Sequence, residues 1–287
     1  MTERMITVDG VELCTEPFGD PTDPPVLLVM GLGASMLWWD ESFCRLLADG
    51  GRYVIRYDHR DTGRSVTDEP GHPGYNGEDL ALDAVRVLDG YGLPAAHLVG
   101  VSAGGALAQV VALAHPDRVL SLVLISTSAA TPGNRGQPPP TEAFGQFLST
   151  AEVDWSDSES VIGYLLDYSR VIAGEQRPFD EAAFHQLVRS DVQRARDFAA
   201  LQNHDIVAGD GPALPGLSSI TAPTLVIHGT ADPMFPLEHG RTLAEEIPGA
   251  TLLVLDSAGH GVYRDDWETI VPAILEHTAT DRSGGVN

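Results

Sequence analysis

Lysine is absent from this sequence, and all seventeen basic residues are arginines. That excludes a Schiff-base or pyridoxal-attachment lysine, a Ser–Lys dyad and the lysine of a phosphate-binding loop. Cysteine is nearly absent too. With only Cys14 and Cys44 in 287 residues, neither a disulfide framework nor a cysteine metal cluster is expected. No run of about eighteen apolar residues occurs, so no membrane-spanning helix is expected. The opening stretch, Met-Thr-Glu-Arg-Met-Ile-Thr-Val, is too short and too interrupted for a secretory signal, and a cytoplasmic setting is expected. Positive charge is scarce: 17 arginines against 41 acidic residues give a formal net charge of −24. The acidic residues are spread along the chain, which reads as a solvated surface and argues against nucleic acid or anionic membranes as partners.

An apolar share of 43% is enough for a sizeable core. Strands over residues 5–9 and 11–15 flank Asp9-Gly10, a hairpin signal. Residues 26–30, 53–57 and 119–126 are the apolar runs expected of strands buried on both faces. A stripe of Trp39, Phe43, Leu46 and Leu47 predicts a helix ending at Gly50, and Ala81, Ala84, Val85 and Leu88 predict another ending at Gly90. This alternation predicts a mostly parallel sheet with helices on both faces. The rhythm breaks at Thr131. A linker runs through Pro140, followed by a helical segment from about 141 to 208, with a capping box at Ser156 and Glu159 and a second long helix from about Asp180. A loop over 209–216 leads out. Strand and helix then resume with residues 224–228, a helix opened by Pro236 and stopped by Pro248, residues 251–255, and a last helix bearing Trp267, Ile270, Val271 and Ile274. Pro272 inside that stripe predicts either a late start or a kink. The tail from about 279 is expected to fray. The expected division is a core of residues 1–128 and 217–287, interrupted after the sixth strand by a helical cap at 129–216.

The most informative stretch begins at residue 96. A short apolar run enters Gly100-Val101-Ser102-Ala103-Gly104, and a helix-favouring sequence follows without a break. Strand, sharp turn and helix, with serine at the apex, is the context in which a G-x-S-x-G pattern carries meaning. The apex requires a strained backbone with φ above zero, so Gly100 and Gly104 make room on either side and Gly105 lets helix and strand approach. Such a turn lifts the hydroxyl clear of the sheet and aims the first N–H groups of the helix at whatever it attacks.

A serine hydroxyl needs a base, and the base needs an orienting acid. In an open parallel sheet such groups sit on loops beyond the C-terminal strand ends. The loop after residues 224–228 carries Asp232, and the loop after 251–255 carries His260 between two glycines. His260 is the expected general base and acid, with Asp232 holding its tautomer. Asp256 shares the loop of His260 and reads as a loop-capping carboxylate. His59 lies too early in the chain for the expected order. His97, His115 and His228 fall inside predicted elements and read as structural or surface groups. The loop Thr127-Ser128-Ala129, where an alternative acid would sit, has no carboxylate. The oxyanion donors expected are the backbone N–H groups of Ala103 and of Leu32, the latter in the turn Met30-Gly31-Leu32-Gly33.

These residues resemble the α/β-hydrolase superfamily across essentially the whole core, in the chain order Ser102, Asp232, His260. Within it, Val29-Met30-Gly31, the loop from Ile55 to Ser65 and Val85-x-x-Leu88-Asp89-Gly90 resemble the aclacinomycin methylesterase group, whose members cleave a methyl ester on an anthracycline. The resemblance runs to about residue 125 and resumes at about 222, and the cap matches poorly. It implies a serine nucleophile at 102, where dehalogenase-like and epoxide-hydrolase-like relatives need aspartate. The chain departs from the group at Ala103, where methionine is usual. Because caps set substrate choice, the anthracycline is not carried over. The Asp58–Ser65 loop reads as structural, with Asp58 and Arg60 bracing the strand ends.

The expected function is that of a metal-free, cofactor-free serine hydrolase acting on a small-molecule carboxylic ester, a methyl ester of a hydrophobic or polyketide-like substrate among the candidates. The same triad would serve a perhydrolase or haloperoxidase-like enzyme, a lactonase or a C–C bond hydrolase. A ligand-binding protein on the same fold is the non-enzymatic alternative. Of the cap aromatics, Trp155, Tyr164, Tyr168, Phe179, Phe184 and Phe198, most are expected to pack the cap on the core rather than line a pocket. Arg189, Arg194 and Arg196 are expected on a solvated helix face.

Overall fold

Eight strands follow one another in the computed structural model, which describes residues 3–131, 136–207 and 214–279. They are β1 (Arg4–Val8), β2 (Val11–Phe18), β3 (Pro25–Val29), β4 (Tyr53–Tyr57), β5 (Ala96–Val101), β6 (Val119–Ile125), β7 (Thr224–Gly229) and β8 (Thr251–Leu255). One sheet holds them in the order β1-β2-β4-β3-β5-β6-β7-β8. Asp9 and Gly10 both adopt positive φ, the conformation a two-residue hairpin requires, and join β1 to an antiparallel β2. β2 also pairs antiparallel with β4, and every pairing beyond it is parallel. The sheet is therefore mostly parallel.

Alternation along the strands divides the core into two layers. Leu27, Val29, Ile55 and Leu98 pack beneath α2 (Gly77–Gly90), α3 (Ala103–Ala114) and α8 (Glu238–Glu246). Val26, Leu28, Val54 and Val99 face the other way, against α1 (Glu41–Asp49) and α9 (Trp267–His277). Helices thus cover both faces, as parallel strands joined by crossovers demand. The parallel arrangement also gathers the C-terminal ends of β3 to β8 along one edge.

Three local expectations are corrected. Leu46 is 44% exposed, and the buried stripe of α1 is Phe43, Cys44 and Leu47. Ser156 does not cap a helix: Asp157 does, accepting from Glu159 N–H, and α5 (Ser158–Ala173) begins after it. Pro272 lies inside α9, which starts at Trp267, so the helix does not start late. The carbonyl that Pro272 cannot serve belongs to Glu268, exposed on the first turn, where water can replace the missing donor.

Between β6 and β7 lie α4 (Glu142–Thr150), α5, α6 (Glu181–Arg194) and the short α7 (Asn203–Ile206). α5 and α6 pack through Val161, Ile162, Leu165, Val188 and Val192. Linker residues 132–135, residues 208–213 of the loop that leads out, and the tail from 280 lie outside the described residues.

Polar ties fasten this helical segment to the loop after β4. Asp58 pairs with Arg194 at 2.8 Å, Asp61 accepts from Asn203 Nδ2 at 2.8 Å, and Gly63 O accepts from Arg196 N–H at 2.8 Å. Asp58 also accepts from Met36 and Arg64 N–H, and Arg60 makes a bidentate pair with Asp83. The Asp58–Ser65 loop is therefore structural as expected, and it is also the platform on which the second half of the insertion sits. Arg194, only 8% exposed at its side chain, does not belong to a solvated face, whereas Arg189 and Arg196 pair with Glu159 and Glu12 at the surface.

Candidate active site

Ser102 joins β5 to α3 with φ +54° and ψ −129°. Such a backbone costs a residue with a Cβ of order 1–3 kcal/mol and persists only where its surroundings enforce it. Here Ser102 N–H donates to Ile125 O at 3.0 Å, while Ser102 O accepts from Gly105 N–H at 2.9 Å and from Thr127 Oγ1 at 2.6 Å. The neighbouring glycines are dictated by close approach. A Cβ on Gly100 would lie 2.4 Å from Gly104 O, and one on Gly104 would lie 2.2 Å from Val29 O. Ala103 is the first residue of α3, so its N–H has no acceptor within the helix.

Asp232, in the loop after β7, has a fully buried carboxylate with both oxygens engaged. Oδ1 accepts from Met234 N–H at 2.9 Å and Phe235 N–H at 2.8 Å. Oδ2 lies 2.9 Å from His260 Nδ1. Burial opposes the charge on Asp232, but the adjacent His260, its hydrogen bond and the Phe235 N–H outweigh it and hold the carboxyl below the ordinary aspartate range. With Nδ1–H donated to Asp232, Nε2 of neutral His260 is left as an acceptor, the tautomer a general base requires. His260 and Ser102 line the same cavity.

The backbone of His260 is held from three sides. Its N–H donates to Ile172 O at the end of α5, 2.8 Å away, and its carbonyl accepts from Tyr263 Oη at 2.9 Å. Gly261 N–H reaches Ser126 Oγ at 3.3 Å. Gly259 is a glycine because α5 ends against it: a Cβ there would lie 2.2 Å from Ala173 O. Asp256 is exposed, and its carboxylate lies 3.5 Å from Ser257 Oγ, so it takes no part in this cluster. His228 is buried in β7, donates Nε2–H to Phe235 O at 2.7 Å and stands 3.6 Å from Asp232 Oδ2. Burial lowers its pKa, so it flanks the carboxylate as a neutral ring.

The turn after β3 faces Ser102. A Cβ on Gly31 would lie 3.3 Å from Ser102 Cβ, and Leu32, 36% exposed, lines the cavity. Two buried histidines hold this turn. His59 donates Nε2–H to Met30 O at 2.8 Å, and Gly33 N–H donates to His204 Nδ1 at 2.7 Å. His59, too early in the chain to be the catalytic base, supports the turn instead. His204 carries no sequence signal at all. A lone histidine on a short helix acquires its meaning only from the loop packed against it.

The cavity beside Ser102 has a volume of about 490 Å³ and is mostly apolar. Trp38, Tyr263 and Trp267 from the sheet domain line it together with Tyr168, Phe179 and Phe184 from the insertion. Trp155, Tyr164 and Phe198 instead pack against the α5–α6 cluster. The six aromatics of the insertion thus divide evenly between the pocket wall and the insertion's own interior, not mostly to packing. Arg177 also lines the cavity, tied to Asp266 at 2.7 Å.

The family profile described as alpha/beta hydrolase fold matches residues 24–151, and one described as TAP-like protein matches residues 207–280. Rhodomycin D methylesterase DnrP of Streptomyces peucetius is 35% identical over 97% of this chain and 98% of its own. Among solved structures, esterase RhEst1 from Rhodococcus sp. ECU1013 superimposes with a TM-score of 0.75 at 25% identity, covering 97% of this chain and 98% of that one. An esterase from Exiguobacterium antarcticum shares the fold with a TM-score of 0.77 at 24% identity, covering 97% of this chain and all of its own (100%). The strained serine turn, the buried Asp–His pair and these likenesses together place the chain in the α/β-hydrolase family.

Proposed function

We propose that this protein is a serine hydrolase of carboxylic esters in which Ser102 is the nucleophile, His260 the general base and acid, and Asp232 the orienting carboxylate. The observation that carries the reading is the 2.9 Å contact between His260 Nδ1 and buried Asp232, in a cavity shared with a serine held at φ +54°. His260 Nε2 takes the proton as Ser102 Oγ adds to the ester carbonyl. The resulting oxyanion is met by the N–H groups of Ala103 and Leu32. Collapse expels the alcohol, which receives the proton from His260 and leaves an acyl-enzyme. Water then repeats the sequence: it loses its proton to His260 and adds to the acyl carbon, and Ser102 departs with the proton as the acid is released.

Residues 129–216 act as a cap over this site and supply Tyr168, Phe179 and Phe184 to its aromatic wall. The apolar cavity fits a hydrophobic, polyketide-like acid, and the likeness to a methylesterase supports methanol as the alcohol released. Among the described residues no helix is long and apolar enough to cross a membrane. Burial pushes both free thiols, Cys14 and Cys44, up to about 12, and unreactive reduced cysteines suit a cytoplasmic setting.

Ser102→Ala tests the assignment. Turnover of p-nitrophenyl acetate should fall by roughly 10⁴-fold or more, as removal of a triad nucleophile does elsewhere, and a fluorophosphonate should label the wild-type protein at Ser102. Near wild-type turnover by Ser102→Ala would refute the mechanism, and failure of the probe to label Ser102 would favour a binding protein. A panel of methyl esters of flat aromatic and linear acids tests the substrate class.

A further inference from the structure

His204 lies outside the catalytic set, yet it makes two buried hydrogen bonds that bear on it. Gly33 N–H donates to Nδ1 at 2.7 Å, which obliges Nε2 to carry the ring proton, and Nε2–H donates to Arg60 O at 2.8 Å. The ring is 5% exposed and packs edge-on to His59 and Tyr75. Its helix is fixed from the neighbouring position. Asn203 donates to Asp61 at 2.8 Å and to Glu69 O at 3.2 Å, and accepts from Gly71 N–H at 2.6 Å. A cap residue, anchored on the loop after β4, thus reaches the turn that faces Ser102 and holds one end of it, while His59 holds the other end at Met30 O.

We infer that His204 is a positioning residue for the oxyanion loop: by accepting Gly33 N–H it aims the preceding N–H, that of Leu32, at the site where charge develops, and it makes that aim depend on the cap being docked. The inference rests on the reading of Leu32 N–H as an oxyanion donor. Gly33 adopts φ +74°, so the turn is a tight one whose amide directions are set by few contacts. Leu32 N–H belongs to the Gly31–Leu32 peptide, whose two neighbouring peptides are both pinned: Met30–Gly31 at Met30 O by His59, and Leu32–Gly33 at Gly33 N–H by His204, which comes from the insertion rather than the sheet. Burial, and then the neighbouring His59, lower the His204 pKa to about 3, so the accepting nitrogen stays unprotonated across the working range.

Three substitutions separate this role from simple packing. His204→Phe removes both hydrogen bonds. His204→Gln places its amide where Nε2 stood and keeps the tie to Arg60 O without an acceptor for Gly33. His204→Asn keeps an acceptor near the Nδ1 position. With p-nitrophenyl acetate, kcat should fall by about 10- to 100-fold in the Phe and Gln variants while KM changes by less than about threefold, since a misaimed donor weakens binding of the transition state alone. His204→Asn should recover kcat to within about fivefold of wild type. Inhibition by phenylboronic acid, whose adduct occupies the same donors, should weaken in step with kcat. The inference is overturned if folded His204→Gln keeps kcat within threefold of wild type, or if His204→Asn loses as much as His204→Gln. His204→Gln decides the matter even where His204→Phe fails to fold. Ser102→Ala, run alongside, separates the two readings. If it retains turnover, the active-site assignment fails and the role of His204 with it. If it is inactive while His204→Gln is unimpaired, only the role of His204 fails.

Discussion

Replacing Asp232 by asparagine changes one atom, and the surroundings dictate how that change propagates. Oδ1 accepts two backbone N–H groups, from Met234 and Phe235, at 2.9 and 2.8 Å. An asparagine must keep its carbonyl oxygen there, because turning the amide would set NH₂ against two donors. The NH₂ group then faces His260 Nδ1, which at present is 2.9 Å from the other oxygen. An amide N–H at that place can only donate. His260 must therefore accept at Nδ1 and carry its proton on Nε2, where it can no longer take one from Ser102. Neighbours cannot correct this. His228, 3.6 Å from the carboxylate, commits its Nε2–H to Phe235 O, and Asp256 is exposed on its own loop. Trapping the wrong tautomer costs about 10⁴-fold in kcat, or about 5 kcal/mol of barrier. The assay is kcat on p-nitrophenyl acetate, with circular dichroism and Tm to show that the variant is folded. A folded Asp232→Asn protein that turns over within tenfold of wild type refutes the role given to Asp232.

The contacts of the insertion lead to further expectations. Arg194→Met leaves Asp58 buried without its cation, which should cost about 3 kcal/mol and lower Tm by roughly 6–10 °C. An unchanged melting curve would show that the pair contributes nothing. Gly259→Ala drives a Cβ to within 2.2 Å of Ala173 O and 2.5 Å of Ile172 O, so the end of α5 must withdraw and the bond from His260 N–H to Ile172 O must open. kcat should drop about tenfold or more, and unaltered kinetics would refute the coupling of cap to base. Stability should also fall on mild acidification. Burial lowers the pKa of His97 to about 4 and of His204 to about 3, whereas the unfolded chain protonates near 6.5. Between those values the unfolded state binds more protons, so stability rises with pH and each ring contributes about 2 kcal/mol of loss between pH 6.5 and 5. The gap between Tm at pH 7 and at pH 5 should narrow when both rings are replaced by asparagine, with buried His59 and His228 keeping part of it, and an undiminished difference in that double variant would count against the assignment.

Much of this molecule is legible in the residues because its information is local. The βα alternation, the runs buried on both faces and the punctuation by Gly50, Gly90 and Pro248 follow from period and turn chemistry within a few residues. The serine turn is legible for the same reason: Gly100 and Gly104 stand where a Cβ would meet Gly104 O and Val29 O. Parallel topology then points to the strand ends, where Asp232 and His260 are found. Pattern misleads where a boundary turns on one side chain, as at Ser156 against Asp157, or where an apolar residue on a helix faces outward, as Leu46 does.

The tertiary structure alone decided what the insertion does. Arg194 looks like any arginine on a helix until Asp58, far earlier in the chain, is seen to meet it at 2.8 Å. Which of the insertion's six aromatics face the cavity depends on how α5 and α6 are seated, a rigid-body relation that no periodicity encodes. His59 and His204 come together around the turn beside Ser102 only because the loop after β4 carries both the sheet end and the cap. Sequence by itself determined the fold type and the residues available for chemistry, since those depend on short-range pattern and sheet topology. Contacts between segments far apart in the chain decided how the insertion meets the turn after β3 and the loop of His260, because such contacts follow from packing rather than from order along the chain.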